Sequence, residues 1–128
     1  MKKILGTAAV LAVLMSCGGG DNNKNTTETK KDATTDLSQN PDYQKGLELV
    51  GKSGCLTCHK IDEKLTGPAY RDVANKYASY PDTIVQHLAK KILSGGSGVW
   101  GEVPMIPHPA LTLEEAEAMV KYILLLKK

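Results

Sequence analysis

The spacing of apolar residues divides the chain into three unequal parts. An apolar run from Ile4 to Met15 follows Lys2 and Lys3. Gly18 to Asn40, "GGGDNNKNTTETKKDATTDLSQN", then offers almost nothing to bury. From residue 41 onward, apolar positions recur at helical spacing. Asp42 to Gly51 reads as a first short helix with Leu47, Leu49 and Val50 as its apolar members. Pro68 to Tyr77, "PAYRDVANKY", reads as a second, with Pro68 near its start, where the fixed φ is tolerated. Pro81 to Leu93 places Ile84, Val85, Leu88 and Ile92 on one face, and "SGGSG" ends it. The last helix is the clearest. Thr112 and Glu115 form a capping box, and Ala116, Met119, Val120, Ile123 and Leu124 follow at i, i+3, i+4, i+7 and i+8. Lys127 and Lys128 suit the negative end of its dipole. No stretch alternates with period two and no segment repeats. The pattern predicts an all-α domain of short helices and long loops over residues 41–128.

The first apolar run is too short to span a bilayer, which takes about 20 residues. Its flanking charges and length are those of a secretory signal. The run ends in Leu14-Met15-Ser16-Cys17, which resembles a bacterial lipobox. That resemblance implies a signal peptide over residues 1–16, cleavage before Cys17 and lipidation of Cys17. Several acyl chains would anchor the protein stably where one would not. Residues 17–40 then form a lipidated tether. About 20 flexible residues span roughly 25 Å on average and approach roughly 70 Å when stretched.

Composition narrows the chemistry. The 128-residue chain carries a formal charge of +2, which makes no electrostatic case for nucleic acid. Aromatics are 5% and phenylalanine is absent. The core is therefore expected to rest on Leu, Ile, Val, Met and Ala, or on a group that is not a side chain. The three cysteines, Cys17, Cys55 and Cys58, are an odd number and argue against a purely disulfide framework.

Cys55, Cys58 and His59 are spaced C-x-x-C-H within "GKSGCLTCHKIDEKLTGPAY". Disulfide exchange calls for C-x-x-C in a βαβ context, which the pattern lacks. Structural zinc needs four ligands, and this cluster offers at most three, two of them adjacent. C-x-x-C-H is the attachment signature of c-type haem. Two thiols meet two vinyl groups on one porphyrin edge, and the neighbouring imidazole turns beneath the ring to reach iron. The cysteines are then all used, one for lipid and two for haem. A sixth ligand is required further along, and Met105 in "GVWGEVPMIPHP" is the candidate.

Taken together, "CLTCH", "GPAYRDVANKY", "GSGVWGEVPM" and the C-terminal helix resemble a small bacterial class I c-type cytochrome, over residues 42–128. The resemblance implies one haem c attached through Cys55 and Cys58, with His59 as proximal and Met105 as distal ligand. It implies that the Pro68 carbonyl accepts the His59 ring N–H, and that Trp100 bonds a haem propionate. Lys91 stands where relatives can carry an arginine near a propionate. Gly98 and Gly101 would let the backbone approach the ring, and Pro104, Pro107 and Pro109 would stiffen the ligand loop. Tyr122 is expected to pack near Gly46 where first and last helices cross. His108 departs from the pattern, since relatives often have an amide there that bonds the methionine sulfur. Histidine could do the same, or compete for iron.

The implied function is one-electron transfer by an exported, membrane-anchored carrier, not an enzyme. Its partners would be a quinol-oxidising complex and a terminal oxidase or nitrite reductase. Two other readings stay open: a ligand-binding or peroxidatic haem protein with a labile Met105, and a haem subunit of a larger redox complex. The anchor would hold the domain on the periplasmic or outer side of a bacterial membrane. Gly18, not aspartate, follows Cys17.

Overall fold

A computed structural model describes residues 36–128. Residues 1–35, on which the expected signal peptide, the lipidation of Cys17 and most of the expected tether fall, lie outside the described residues. Four helices carry the domain: α1 (Pro41–Lys52), α2 (Tyr70–Tyr77), α3 (Thr83–Ser94) and α4 (Leu113–Leu125). Short 3₁₀ turns at Leu37–Gln39 and Cys55–Thr57 precede and follow α1. Between α3 and α4, strands β1 (Gly96–Gly98) and β2 (Gly101–Met105) pair antiparallel.

Local chemistry accounts for the helix ends. The Asn40 side chain accepts from the Tyr43 amide at 3.1 Å, and Pro41 occupies the first turn of α1. The Thr112–Glu115 capping box starts α4, with the Glu115 carboxylate accepting from the Thr112 amide at 2.8 Å. At its other end, α4 stops at Leu125, so Lys127 and Lys128 lie past the last turn. The cation at that end is Arg71 of α2, which donates to the Leu126 carbonyl and also pairs with Asp62.

α4 is the hub. One side meets α1, where a Cβ on Gly46 would overlap the Tyr122 side chain and the Ala118 carbonyl. Tyr70 and Ala74 of α2 pack in one cluster with Val50, Met119, Tyr122, Ile123 and Leu126. Ala89 of α3 packs with Ala116 and Val120. Because three helices cover it, α4 buries Ala118 and Tyr122 beyond its predicted stripe.

Several expectations are corrected. The core is not built from aliphatic residues alone: Tyr122 is its largest fully buried side chain, and Tyr70 and Tyr77 are buried too. A phenol supplies the missing aromatic bulk wherever its hydroxyl can be tolerated. Leu47 is exposed, because α1 turns Gly46 and Val50 toward α4 instead. α2 begins at Tyr70 and not at Pro68, because Ala69 at its N-cap is extended. The mainly helical reading holds, with one hairpin added. That hairpin has no buried face, so nothing in it requires alternation. Its turn depends instead on Gly98 and Gly101, at φ 110° and 124°.

Candidate haem site

Cys55 and Cys58 bracket a single 3₁₀ turn, and His59 follows directly. The turn is held by Cys58 and His59 amides donating to the Cys55 carbonyl at 3.2 and 3.0 Å. Both cysteine side chains are half-buried. Before haem is attached, burial pushes the Cys55 thiol up, offset in part by the Tyr70 hydroxyl beside it. The Tyr70 phenol is pushed well above its ordinary value, by burial first and then by Cys55.

The next segment folds back onto this turn. The Gly67 amide donates to Cys58 O at 2.8 Å, Tyr70 to Lys60 O at 2.9 Å, and Arg71 to Ile61 O at 3.0 Å. This brings the Pro68 carbonyl within 2.8 Å of His59 Nδ1. A carbonyl only accepts, so Nδ1 carries the proton. The lone pair is then on Nε2, the nitrogen available to a metal.

The hairpin presents the other candidates. Met105 ends β2, half-buried and paired with Gly96. Its backbone is pinned to the end of α3: a Cβ on Gly95 would overlap the Met105 carbonyl and lie 2.9 Å from Pro107 N. Beyond it the His108 amide donates to Ile92 O at 3.1 Å. Trp100 sits at the hairpin turn with the Lys76 ammonium 5.4 Å from its ring. That is a cation–π contact of about 0.5–1 kcal/mol at an exposed site. Lys91 is exposed, with Nζ 3.9 Å from where a Cβ on Gly96 would lie. A Cβ on Gly98 or Gly101 would meet no protein atom within 4 Å, and the positive φ at both calls for glycine whatever the space.

The structure thus gathers Cys55, Cys58, His59 and Pro68 into one stitched unit. It places Met105, Trp100 and Lys91 together on or beside the hairpin. Sequence reasoning missed Gly67, Tyr70 and Lys76 as neighbours of the site. For Gly67 a signal existed in its position before Pro68; for Tyr70 and Lys76 nothing but the fold reveals the contact.

The arrangement fits a porphyrin. Among the described residues no three His, Cys, Asp or Glu side chains converge to hold a bare metal ion. The two thiols and one neutral imidazole are instead presented from one turn. Leu56, Leu65, Val99, Trp100, Val103 and Ile106 are exposed on the two chain segments that carry the candidate ligands. That much exposed carbon on so small a domain suits a large apolar group.

A compact helical domain with this turn is a c-type haem domain of class I. Residues 43–127 match the family model described as Cytochrome c. The chain belongs to the cytochrome c family. Cytochrome c-552 of Hydrogenobacter thermophilus is 49% identical over 80 residues, covering 62% of this chain and 80% of that protein. Cytochrome c-552 of Nitrosomonas europaea is 42% identical over 84 residues, covering 66% and 81%. The crystal structure of wild-type Nitrosomonas europaea cytochrome c552 superposes with a TM-score of 0.60 at 42% identity, covering 63% of this chain and 99% of that one. The cofactor is one haem c, held covalently through Cys55 and Cys58. The protein is an electron carrier and not an enzyme, and bacterial cytochromes c are exported proteins.

Proposed function

We propose that this cytochrome carries single electrons at a membrane surface, with His59 and Met105 as the axial ligands of its haem iron. The observation that carries the reading is the 2.8 Å contact of His59 Nδ1 with the Pro68 carbonyl, on the same turn as both thiols. It leaves Nε2 as the ligating nitrogen and makes it a better donor. Haem supplies a one-electron couple, and histidine–methionine ligation raises its potential. Met105 is supported by its place after the hairpin glycines and by the pinning of its backbone to Gly95. Ligands held in both oxidation states keep the rearrangement on electron transfer small.

Trp100 and Lys91 are proposed to hold propionates through the indole N–H and the ammonium. Cys17 is proposed to carry lipid, with the tether letting the domain move between partners. Among the described residues no helix is long and apolar enough to cross a membrane. A quinol-oxidising complex as donor and a terminal oxidase or nitrite reductase as acceptor suit such a carrier.

The ferric holoprotein tests the ligand set. It is expected to be low-spin, with the weak far-red band of a sulfur–iron bond. A high-spin spectrum with rapid carbon monoxide binding on reduction would replace the carrier reading with a ligand-binding or peroxidatic one. Fractionation tests the anchor: Cys17→Ser is expected to release a haem-loaded domain into the soluble fraction. A variant that stays with membranes through a salt wash would remove lipid from the account.

A further inference from the structure

His59 is gripped by more than its hydrogen bond. The Tyr70 ring stacks on the imidazole, with centroids 5.1 Å apart and planes inclined by 16°. Gly67 also lies against it: a Cβ there would sit 2.7 and 2.8 Å from Nδ1 and Nε2, and nearer still to Cε1. Nearly equal distances to the two nitrogens put that missing Cβ in line with Cε1, and their shortness puts it above the ring there, since a point in the ring plane beyond Cε1 would lie farther from both nitrogens. Gly67 therefore meets a face of the imidazole, and any side chain would have to push it aside.

Neither neighbour is free to give way. Tyr70 is 4% exposed and belongs to the main core cluster with Met119 and Tyr122. The Gly67 amide is bonded to Cys58 O at 2.8 Å and the Tyr70 amide to Lys60 O at 2.9 Å, on either side of His59 in sequence. A single Nδ1–H···O bond fixes one point of the ring and leaves it able to rock about that point. Contact on its faces removes the rocking.

We propose that Gly67 and Tyr70 are positioning residues that set the rotation of the His59 imidazole about its bond to iron. The inference rests on the axial role of His59 given above. Rotation of an axial imidazole selects which iron d orbital overlaps its π system. It thereby sets how unpaired spin is distributed over the porphyrin in the ferric state.

Proton NMR of the ferric holoprotein reads this directly through the four porphyrin ring-methyl resonances. Tyr70→Phe keeps the stacked ring and is expected to keep their order and spread. Tyr70→Leu removes the ring, and Gly67→Ala crowds the face at Cε1; both are expected to change the spread, with covalent haem and helical content intact. The same methyl pattern in Tyr70→Leu and Gly67→Ala as in the unmutated protein would overturn the proposal. Should Gly67→Ala fail to accumulate as holoprotein, the contrast between Tyr70→Phe and Tyr70→Leu decides alone, and identical patterns in those two would overturn it. Loss of the hyperfine-shifted imidazole protons in the unmutated protein would instead remove His59 from the iron. Their presence with an invariant methyl pattern removes only the positioning role.

Discussion

Gly46 and Tyr122 meet where α1 crosses α4, so closely that a single methyl on residue 46 would overlap the Tyr122 side chain and the Ala118 carbonyl. A backbone carbonyl inside a helix cannot rotate away, so the helices themselves would have to separate. Gly46→Ala is expected to destabilise the holoprotein by about 1–3 kcal/mol, the usual cost of overpacking. Any gain in intrinsic helix propensity, about 1 kcal/mol, does not offset a forced separation of α1 from α4. Denaturant unfolding followed by circular dichroism measures it; a variant as stable as the unmutated protein would show that the crossing adjusts freely.

Tyr122 carries the second prediction. Its ring is fully buried and meets Tyr43 edge-on at 5.1 Å, yet its hydroxyl has no hydrogen-bond partner among the described residues. An unpartnered buried polar group costs about 1–3 kcal/mol. Tyr122→Phe removes that cost and keeps the ring, so it is expected to leave stability unchanged or raise it by about 1 kcal/mol. A loss above that size in thermal or denaturant unfolding would mean that the hydroxyl is satisfied in solution.

Met105→Ala should lower the reduction potential. Removing a thioether leaves harder ligands, which favour ferric iron. Each tenfold change in preference is about 59 mV for one electron, so a modest change is measurable by redox titration. The reduced variant should also bind carbon monoxide. His108 lies three residues on, with its amide held to Ile92 O at 3.1 Å, and could fill the position. Met105→Ala with His108→Ala is therefore the cleaner comparison. An unchanged potential and an unchanged far-red band in Met105→Ala would remove Met105 from the iron.

Acid should weaken the start of α4. Bonds from the Thr112 amide, then from its hydroxyl, hold the Glu115 carboxyl below its ordinary value of 4.5. A depressed carboxyl contributes its stability above the unfolded value and loses it as pH falls through the folded one. Glu115→Gln should therefore melt below the unmutated protein near neutral pH. The gap should close as pH falls below the ordinary value of 4.5 and on through the lowered folded one. A melting-temperature difference constant from neutral to strongly acid pH would show that ionisation is not what the cap uses.

Much of this protein was legible in one dimension because its chemistry is local. Thiols three residues apart with an adjacent histidine must share one turn, so Cys55, Cys58 and His59 declared the cofactor without any knowledge of the fold. The capping box at Thr112 and the 3.6-residue spacing through Leu124 likewise needed only neighbours in sequence. The resemblance to class I cytochromes added the Gly46–Tyr122 crossing. Contacts that join distant segments were decided by the tertiary structure. Leu47 counts among the apolar members of α1 yet faces outward, since which side of α1 is buried depends on where α4 lies. The hairpin at 96–105 left no periodic trace, because glycine conformation and exposure shape it and no buried face does. Arg71 caps a helix 55 residues away. Tyr70 reaches His59 and Cys55 only because residues 60–61 are bonded back onto residues 70–71. Covalent spacing fixes which groups can act; long-range packing fixes how they are aimed, and that second kind of information is not periodic along the chain.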